Sequence, residues 1–479
     1  MKKIICIILV LALICNTMLT GCSSRNVLAK DKDVVIGTIG QESDDENGNK
    51  QEDGKEGDDA AKAAAKAAEE SEFAKVSGKT MKLSKKSRMS SEELTSGYNY
   101  FAVRALKEAL ASDGKPGKNL MISPASLMFA LDMAAMGAKG TTYKQIAKLF
   151  TADGQKSYAS KRDIILFSKE YREMLEKSGL MDIANSIWIN ENNLAENNVK
   201  INEKYLNLLR KHYKAAAASL KFDAEAVKQI NGWVSDKTKG MIKEAVDDLS
   251  DDSLMLIINA MAFEGVWKKK YEDHQINEDG IFTNSDGEKE KAKMLSSEEN
   301  WYIQGYGAQG FLKYYEGDKY AFMAILPDDD KISINDFVMG LDNDAFEKLY
   351  SSRSSAEVDT MTPAFSFDFN INMNNMLKNM GMKKAFDKNA NFFEMLDPAT
   401  VNPDLLLYIG SVIQKTHIEL DENGTKAAAV TIIDMKCETT SVREPEPRKR
   451  VILDRPFAFA IVDTETGTPV FAGVVNTVE

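Results

Sequence analysis

Two hydrophobic periods share this chain, and they are unevenly placed along it. Between residues 98 and 110 the apolar positions Ala102, Leu106 and Leu110 recur every fourth residue, with Lys107 and Glu108 off that stripe. This spacing predicts a helix with one buried face. Ser123-Pro124-Ala125-Ser126 then opens a second helix. Serine is a good N-cap, and proline suits the first turn, where the amide it lacks has no helical partner. The run 127–136 is apolar nearly all round, so this helix is expected to be buried, and Gly137 and Gly140 punctuate its end. Strand-like runs follow at 183–189, 255–263, 321–326, 365–371, 408–420 and 457–462. The last passes through Asp463-Thr464-Glu465-Thr466-Gly467 and returns at 470–475, a hairpin signal. There is no internal repeat at solenoid or propeller spacing. With helices early and strands late, the expectation is one α+β domain with large mixed β-sheets and surrounding helices, beginning near Ser91.

Composition changes the picture mainly at the amino-terminal end. Over 479 residues, 43% hydrophobic and 28% charged residues provide for a sizeable core and exclude a wholly disordered, collagen-like or polytopic membrane chain. A net charge of −12 argues against a nucleic-acid partner, since phosphate backbones need an excess of Lys and Arg. Three histidines and four cysteines leave little for a zinc site or a disulfide framework, so no metal and no cofactor is expected. Lys2 and Lys3 precede an unbroken apolar run at 4–15, which reads as a secretory signal and is too short to span a bilayer. Leu19-Thr20-Gly21-Cys22 resembles the bacterial lipobox. That resemblance implies a signal peptide at 1–21, lipidation of Cys22, and a chain held by acyl groups on the extracytoplasmic side of the cell membrane, or else secreted.

Residues 22–95 read as an acidic, disordered tether. Positions 41–60 hold nine acidic residues against two lysines, and Asp44-Asp45-Glu46-Asn47-Gly48-Asn49 has nothing apolar to bury. The segment 60–68 (AAKAAAKAA) favours helix but lacks an apolar stripe, so only a marginal helix is expected. A flexible spacer of this length spans about 45 Å root-mean-square.

The segment with the most information starts at Glu422-Asn423-Gly424, a turn after the strand-like run 408–420. Residues 425–437 divide by parity. Thr425, Ala427, Ala429, Thr431, Ile433, Met435 and Cys437 form a face without charge, and Lys426, Asp434 and Lys436 all fall on the other. Side chains alternate along a strand, so this is a strand written to be half buried. The small side chains near Gly424 would let it slip between close-packed neighbours. Glu444-Pro445-Glu446-Pro447 cannot extend a central strand, because proline lacks an amide donor. The plainer alternative is an edge strand followed by a surface loop.

Several segments of 96–479 together resemble the serpin family, in serpin order and at serpin-like separations. They are 119–126 (NLMISPAS), 137–142 (GAKGTT), 259–267 (NAMAFEGVW), 454–457 (DRPF) and 471–476 (FAGVVN). The resemblance implies a serpin-like single domain with an exposed reactive-centre loop at about 422–450. A target protease attacks this loop as substrate. The cleaved loop then inserts into the main sheet and carries the acyl-linked protease with it. Glu422, Gly424, Thr425, Ala427, Ala428 and Ala429 would be the loop hinge, and Ser123, Ser126, Asn259 and Gln414 the region through which the sheet opens. Family spacing from Gly424 puts the reactive bond at Glu438-Thr439. Because the stretch to Pro456 is longer than usual, Met435, Lys436 and Arg443 stand as alternatives. Glu438 would call for a serine protease that prefers Glu, and a cysteine protease also fits, since trapping needs only an acyl-enzyme. The resemblance is to a bacterial member acting as a monomer.

This chain departs from the family pattern at four places. Gln414 stands where a histidine is common. Ala364, after Pro363, stands where a basic residue often pairs with the hinge glutamate, so Glu422 is expected to lack that partner. Lys426 replaces a common acid, and Thr477 a near-terminal proline. Cys437, beside the reactive bond, raises the expectation of redox tuning, against the blander reading of a small residue that happens to be cysteine. A catalytic role is not expected. His212 follows Arg210-Lys211 on a helix expected to be exposed, His274 and His417 look like lone surface or strand residues, and none lies beside a nucleophile elbow or phosphate loop. The rival to inhibition is a non-inhibitory surface serpin acting as a binding module or adhesin.

Overall fold

The structure, a computed structural model, describes residues 89–114, 117–249, 255–402, 405–425 and 448–479. The first helix, α1 (Ser91–Asp113), is fixed by a capping box in which the Ser90 hydroxyl accepts from the Glu93 amide and the Glu93 carboxylate accepts from the Ser90 amide. Residues 91–95, assigned on sequence to the tether, are therefore the first turn of the fold. Helix α2 (Pro124–Gly137) is buried at every position, and Ser123 caps it through the amide of Ser126. Helices α3 (Gly140–Leu149), α4 (Lys161–Lys177), α5 (Glu203–Tyr213) and α6 (Ala224–Lys237) follow.

The strands form two sheets. One contains β2 (Met181–Asn190), β3 (Ala216–Leu220), β4 (Met255–Phe263), β5 (Gly265–Val266), β11 (Phe365–Asn372), β12 (Ser411–Leu420) and β13 (Gly424–Thr425). The other contains β1 (Leu120–Ile122), β6 (Ile276–Thr283), β7 (Lys289–Gly305), β8 (Ala308–Tyr314), β9 (Tyr320–Pro327), β10 (Ser354–Pro363), β14 (Lys449–Ile452), β15 (Phe457–Asp463) and β16 (Pro469–Val475). The α+β expectation holds, and the hairpin at 457–475 is the β15–β16 pair. The strand expected at 408–420 starts only at Ser411, because the amide of Ile409 bonds to Ala385 instead.

In the first sheet β4 lies between β2 and β12. It runs antiparallel to β2 over the whole of its length, from Met181↔Phe263 to Ile189↔Met255. Its pairing with β12 is parallel and short, from Ser411↔Leu256 to Lys415↔Ala260. Beyond those residues the two strands share no register pair among the described residues. Helix α2 packs beneath this sheet, and α6 covers part of its outer face through Ile230 and Val234 against Trp188, Leu256 and Ile258.

One residue of α2 breaks the apolar pattern. Asp132 is fully buried, and its carboxyl accepts from the Ser168 hydroxyl of α4. Burial drives its pKa well above the carboxylate range, and the Ser168 bond offsets this only in part. The folded protein thus holds a proton that the unfolded chain releases above about pH 4. Stability from this group is full below that pH and falls as pH rises toward the folded-state pKa, by up to about 1.4 kcal/mol per pH unit. In Asp132→Asn this loss disappears. Urea unfolding of both proteins between pH 4.5 and 8 should show the variant gaining on the natural chain as pH rises, and a constant difference would contradict a neutral Asp132.

Candidate functional site

The turn after β12 is built by one side chain. The Asp421 carboxylate accepts from the amides of Asn423 (2.7 Å) and Gly424 (3.0 Å), and the Asp421 amide donates to the Gly424 carbonyl (2.9 Å). This reverses the chain into β13. Thr425 pairs with Leu420 on one side and with Gly265 on the other, while Gly424 pairs with Val266. Only glycine fits at 424, because a Cβ there would lie 2.1 Å from the Gly265 carbonyl oxygen. β13 therefore occupies the mouth of the gap that opens between β4 and β12.

The segment after β5 holds this turn from the other side. The Trp267 amide donates to Asn423 O (2.9 Å), its indole to Asp421 O (2.9 Å), and the Tyr271 amide to Glu422 O (3.2 Å). Thr425 is 2% exposed, and its hydroxyl bonds to that of Tyr315 at 2.7 Å. The Tyr315 ring stacks on Trp267 with centroids 4.5 Å apart. Burial raises the Tyr315 pKa far above the usual phenol range, so the hydroxyl stays neutral.

Glu422 does have an ion-pair partner, contrary to the expectation drawn from Ala364. Lys293 of β7 reaches it at 2.8 Å. The Ala364 amide bonds to the Lys293 carbonyl, so the cation stands beside the position where sequence looked for one, on the neighbouring strand. The hydrogen bond from Lys293 lowers the Glu422 pKa, and Lys293 is raised in turn. Both side chains are 29% exposed, which keeps the pair's worth within about 1 kcal/mol.

The sheet-opening candidates lie lower, where β4 and β12 still pair. Gln414 is buried and clamps Ser123 twice: its Oε1 accepts from the Ser123 amide and its Nε2 donates to the Ser123 carbonyl, each at 2.9 Å. The Ser123 hydroxyl donates to Val470 O (2.9 Å). Asn259 is the register partner of Gln414, but its amide donates across to Asn185 of β2. The hydroxyl of Ser126, Oδ1 of Asn259 and Nδ2 of Asn185 are buried with no hydrogen-bond partner among the described residues. Asn185 was missed on sequence; its opposition to Asn259 is the only signal, and it needs the register to be seen. The hinge alanines Ala427, Ala428 and Ala429 lie outside the described residues, as do Met435, Lys436, Cys437, Glu438, Thr439, Arg443 and Cys22. The chain is described again from Arg448, which pairs with Glu298 (2.7 Å), Glu357 (3.1 Å) and Asp359 (3.2 Å) and leads into β14 against β10. The expected loop, 422–450, thus has its two ends in strands.

The histidines form no site. His417 pairs with Asp368 at 2.8 Å across β12 and β11, and His274 is exposed beside Glu272. His212 is half-buried rather than exposed, because α5 turns Leu208, Leu209 and Tyr213 into the core; burial, then Lys211, lower its pKa. Among the described residues no three His, Cys, Asp or Glu side chains are grouped to hold a metal ion.

Comparison with known proteins follows this geometry. The model of the family described as "Serpin (serine protease inhibitor)" matches residues 96–478. Serpin-Z10 of Arabidopsis thaliana is 27% identical over 392 residues, covering 79% of this chain and 96% of that protein. The crystal structure of a thermophilic serpin, tengpin, in the native state aligns with a TM-score of 0.73 at 32% identity, over 85% of this chain and 98% of its own. A thyroxine-binding globulin in complex with thyroxine shares the fold at 20% identity and a TM-score of 0.65, over 80% of this chain and 99% of its own.

Replacing Gln414 with Leu removes both bonds to Ser123 and leaves the buried Ser123 amide unpaired, while the Ser123 carbonyl keeps the Leu127 amide. The loss expected is about 1–3 kcal/mol, the cost of one orphaned buried group. Equilibrium unfolding measures it, and a loss below 1 kcal/mol would show that water or Thr416 takes over the bonds.

Proposed function

The chain belongs to the serpin family, whose members mostly inhibit serine proteases, though some are non-inhibitory; on that premise we propose that this one is an inhibitor that traps its protease by loop insertion. The protease nucleophile attacks the carbonyl of the reactive bond, the amine on its far side departs with a proton, and an ester (or thioester) links loop and enzyme. The freed loop then adds to the first sheet as a new strand between β4 and β12. Movement of the tethered enzyme stops water from completing hydrolysis. The driving force lies in the difference between two packings of one sequence.

The observation that carries this reading is β13 itself. Two hinge residues already sit in the sheet at the mouth of the gap, with Thr425, the first residue of the charge-free face, buried. Continuing the Leu420↔Thr425 register down β12 sets Thr431 opposite Gln414. Continuing Gly424↔Val266 through Glu264 down β4 sets Thr431 opposite Asn259. Gln414 and Asn259 are register partners, so the two extensions agree without a slip. A threonine hydroxyl would then arrive beside the unpartnered Asn259 Oδ1. On the outer face the same registers set Lys426 opposite both Glu419 and Glu264, which makes the unusual lysine complementary to this sheet.

The reactive bond is assigned to Glu438-Thr439, with Met435, Lys436 and Arg443 as the other docking residues to be tested. A Glu-preferring serine protease is the proposed partner. For location, the proposal is acylation at Cys22, with the acidic stretch before Ser91 as a spacer.

The test mixes the protein with trypsin-, elastase-, subtilisin- and Glu-specific proteases. An SDS-stable complex is expected, with a released peptide beginning at Thr439. Release from another bond would keep the inhibitor and move the site. Cleavage without a complex, and without a rise in thermal stability, would favour the binding-module reading. In Thr425→Arg a charged side chain must enter the site beside Tyr315. Complex formation should fall at least about tenfold while loop cleavage continues. The anchor has its own check: metabolic palmitate labelling of the natural chain should vanish in Cys22→Ser, and equal labelling would exclude Cys22.

A further inference from the structure

A buried charge lies against the segment that holds the hinge. Lys313 of β8 is 2% exposed. Its Nζ donates to Glu299 Oε1 of β7 at 2.8 Å and to the Lys269 carbonyl at 3.2 Å. It stands 5.3 Å from the Trp267 ring centroid and 4.2 Å from that of Tyr271. Glu299 also accepts from the Ser297 hydroxyl (2.7 Å), which in turn bonds to Thr360 of β10 (2.9 Å). Burial pulls the ammonium toward neutrality, but Tyr271 and Glu299 outweigh it, so Lys313 stays charged.

The ammonium thus touches the 267–271 segment at three places: one ring, one carbonyl and a second ring. That segment supplies the three donors to Asp421, Glu422 and Asn423. We propose that Lys313 is a positioning residue for the loop hinge: held in the core by Glu299, it clamps residues 267–271 and through them sets the place and register at which the loop enters the sheet. The contacts are of a kind that gains strength away from water. The arrangement also explains why a lysine stands at a core position of β8, where an apolar residue would otherwise serve.

The consequence for trapping rests on the inhibitory reading. Insertion extends from Thr425, and a one-residue slip there would turn the charged face of the loop into the core. A loosened hinge therefore slows insertion and gives water time to release the protease.

Lys313→Met alone leaves Glu299 buried and unpaired, which can unfold the domain. The decisive variant is therefore Lys313→Met with Glu299→Met, in the full chain. Hydrogen exchange is read on fragments 269–275 and 416–425, with fragment 255–263 of β4 as reference. Exchange in the first two should rise about tenfold relative to the third. Among proteases that form a complex with the natural chain, the variant should yield a larger share of cleaved, uncomplexed inhibitor at an unchanged rate of first cleavage. Unchanged exchange in the double variant, or a change confined to the single one, overturns the proposal. Should the natural chain form no complex with any protease while hinge exchange still rises, the positioning role stands and the inhibitory reading falls.

Discussion

Backbone pairing between β4 and β12 covers five residues on each strand and then stops, and the strands diverge around the start of the loop. An open seam inside a sheet leaves rows of donors and acceptors, which are a template for another strand. The protein meets this at the mouth of the seam with β13, two residues long, and with the Tyr315–Thr425 bond behind it. On the proposed function, the chain is thereby both a folded domain and the first part of a larger sheet. The proposed loop insertion needs that condition, because free energy can only be released after cleavage if pairing was left incomplete before it.

The closed part of the seam is held by polar groups, not by apolar packing alone. Gln414 satisfies the Ser123 backbone in both directions, which one amide can do because it carries a donor and an acceptor on the same end. Nearby, Ser126, Asn259 and Asn185 keep buried atoms without partners among the described residues. Such orphans are costly and rare, and Asn259 lies on β4, beside the line along which the proposed insertion would part the sheet. A strand inserted there as proposed would bring a hydroxyl to one of them.

Much of the fold was legible in the sequence. The capped entry to α2, the fully buried strand β4 and the β15–β16 hairpin each follow from local chemistry, and their boundaries fall within a few residues of the structure. The errors have one character. The partner of Glu422 was sought beside Pro363 and is Lys293 on the adjacent strand. His212 was placed on an exposed helix face, and α5 turns part of it inward. Lys313 and Glu299, which no local pattern singled out, meet in the core. In each case the deciding neighbour is distant along the chain.

By itself the sequence determined the two early helices, several of the strands and which face of 425–437 is free of charge, because periodicity and capping act between near neighbours. The tertiary structure alone decided how far β4 and β12 pair, which lysine meets Glu422, and that a buried cation lies against the segment that holds the hinge. Strand register and charge pairing depend on which elements are brought side by side, and no local rule specifies that.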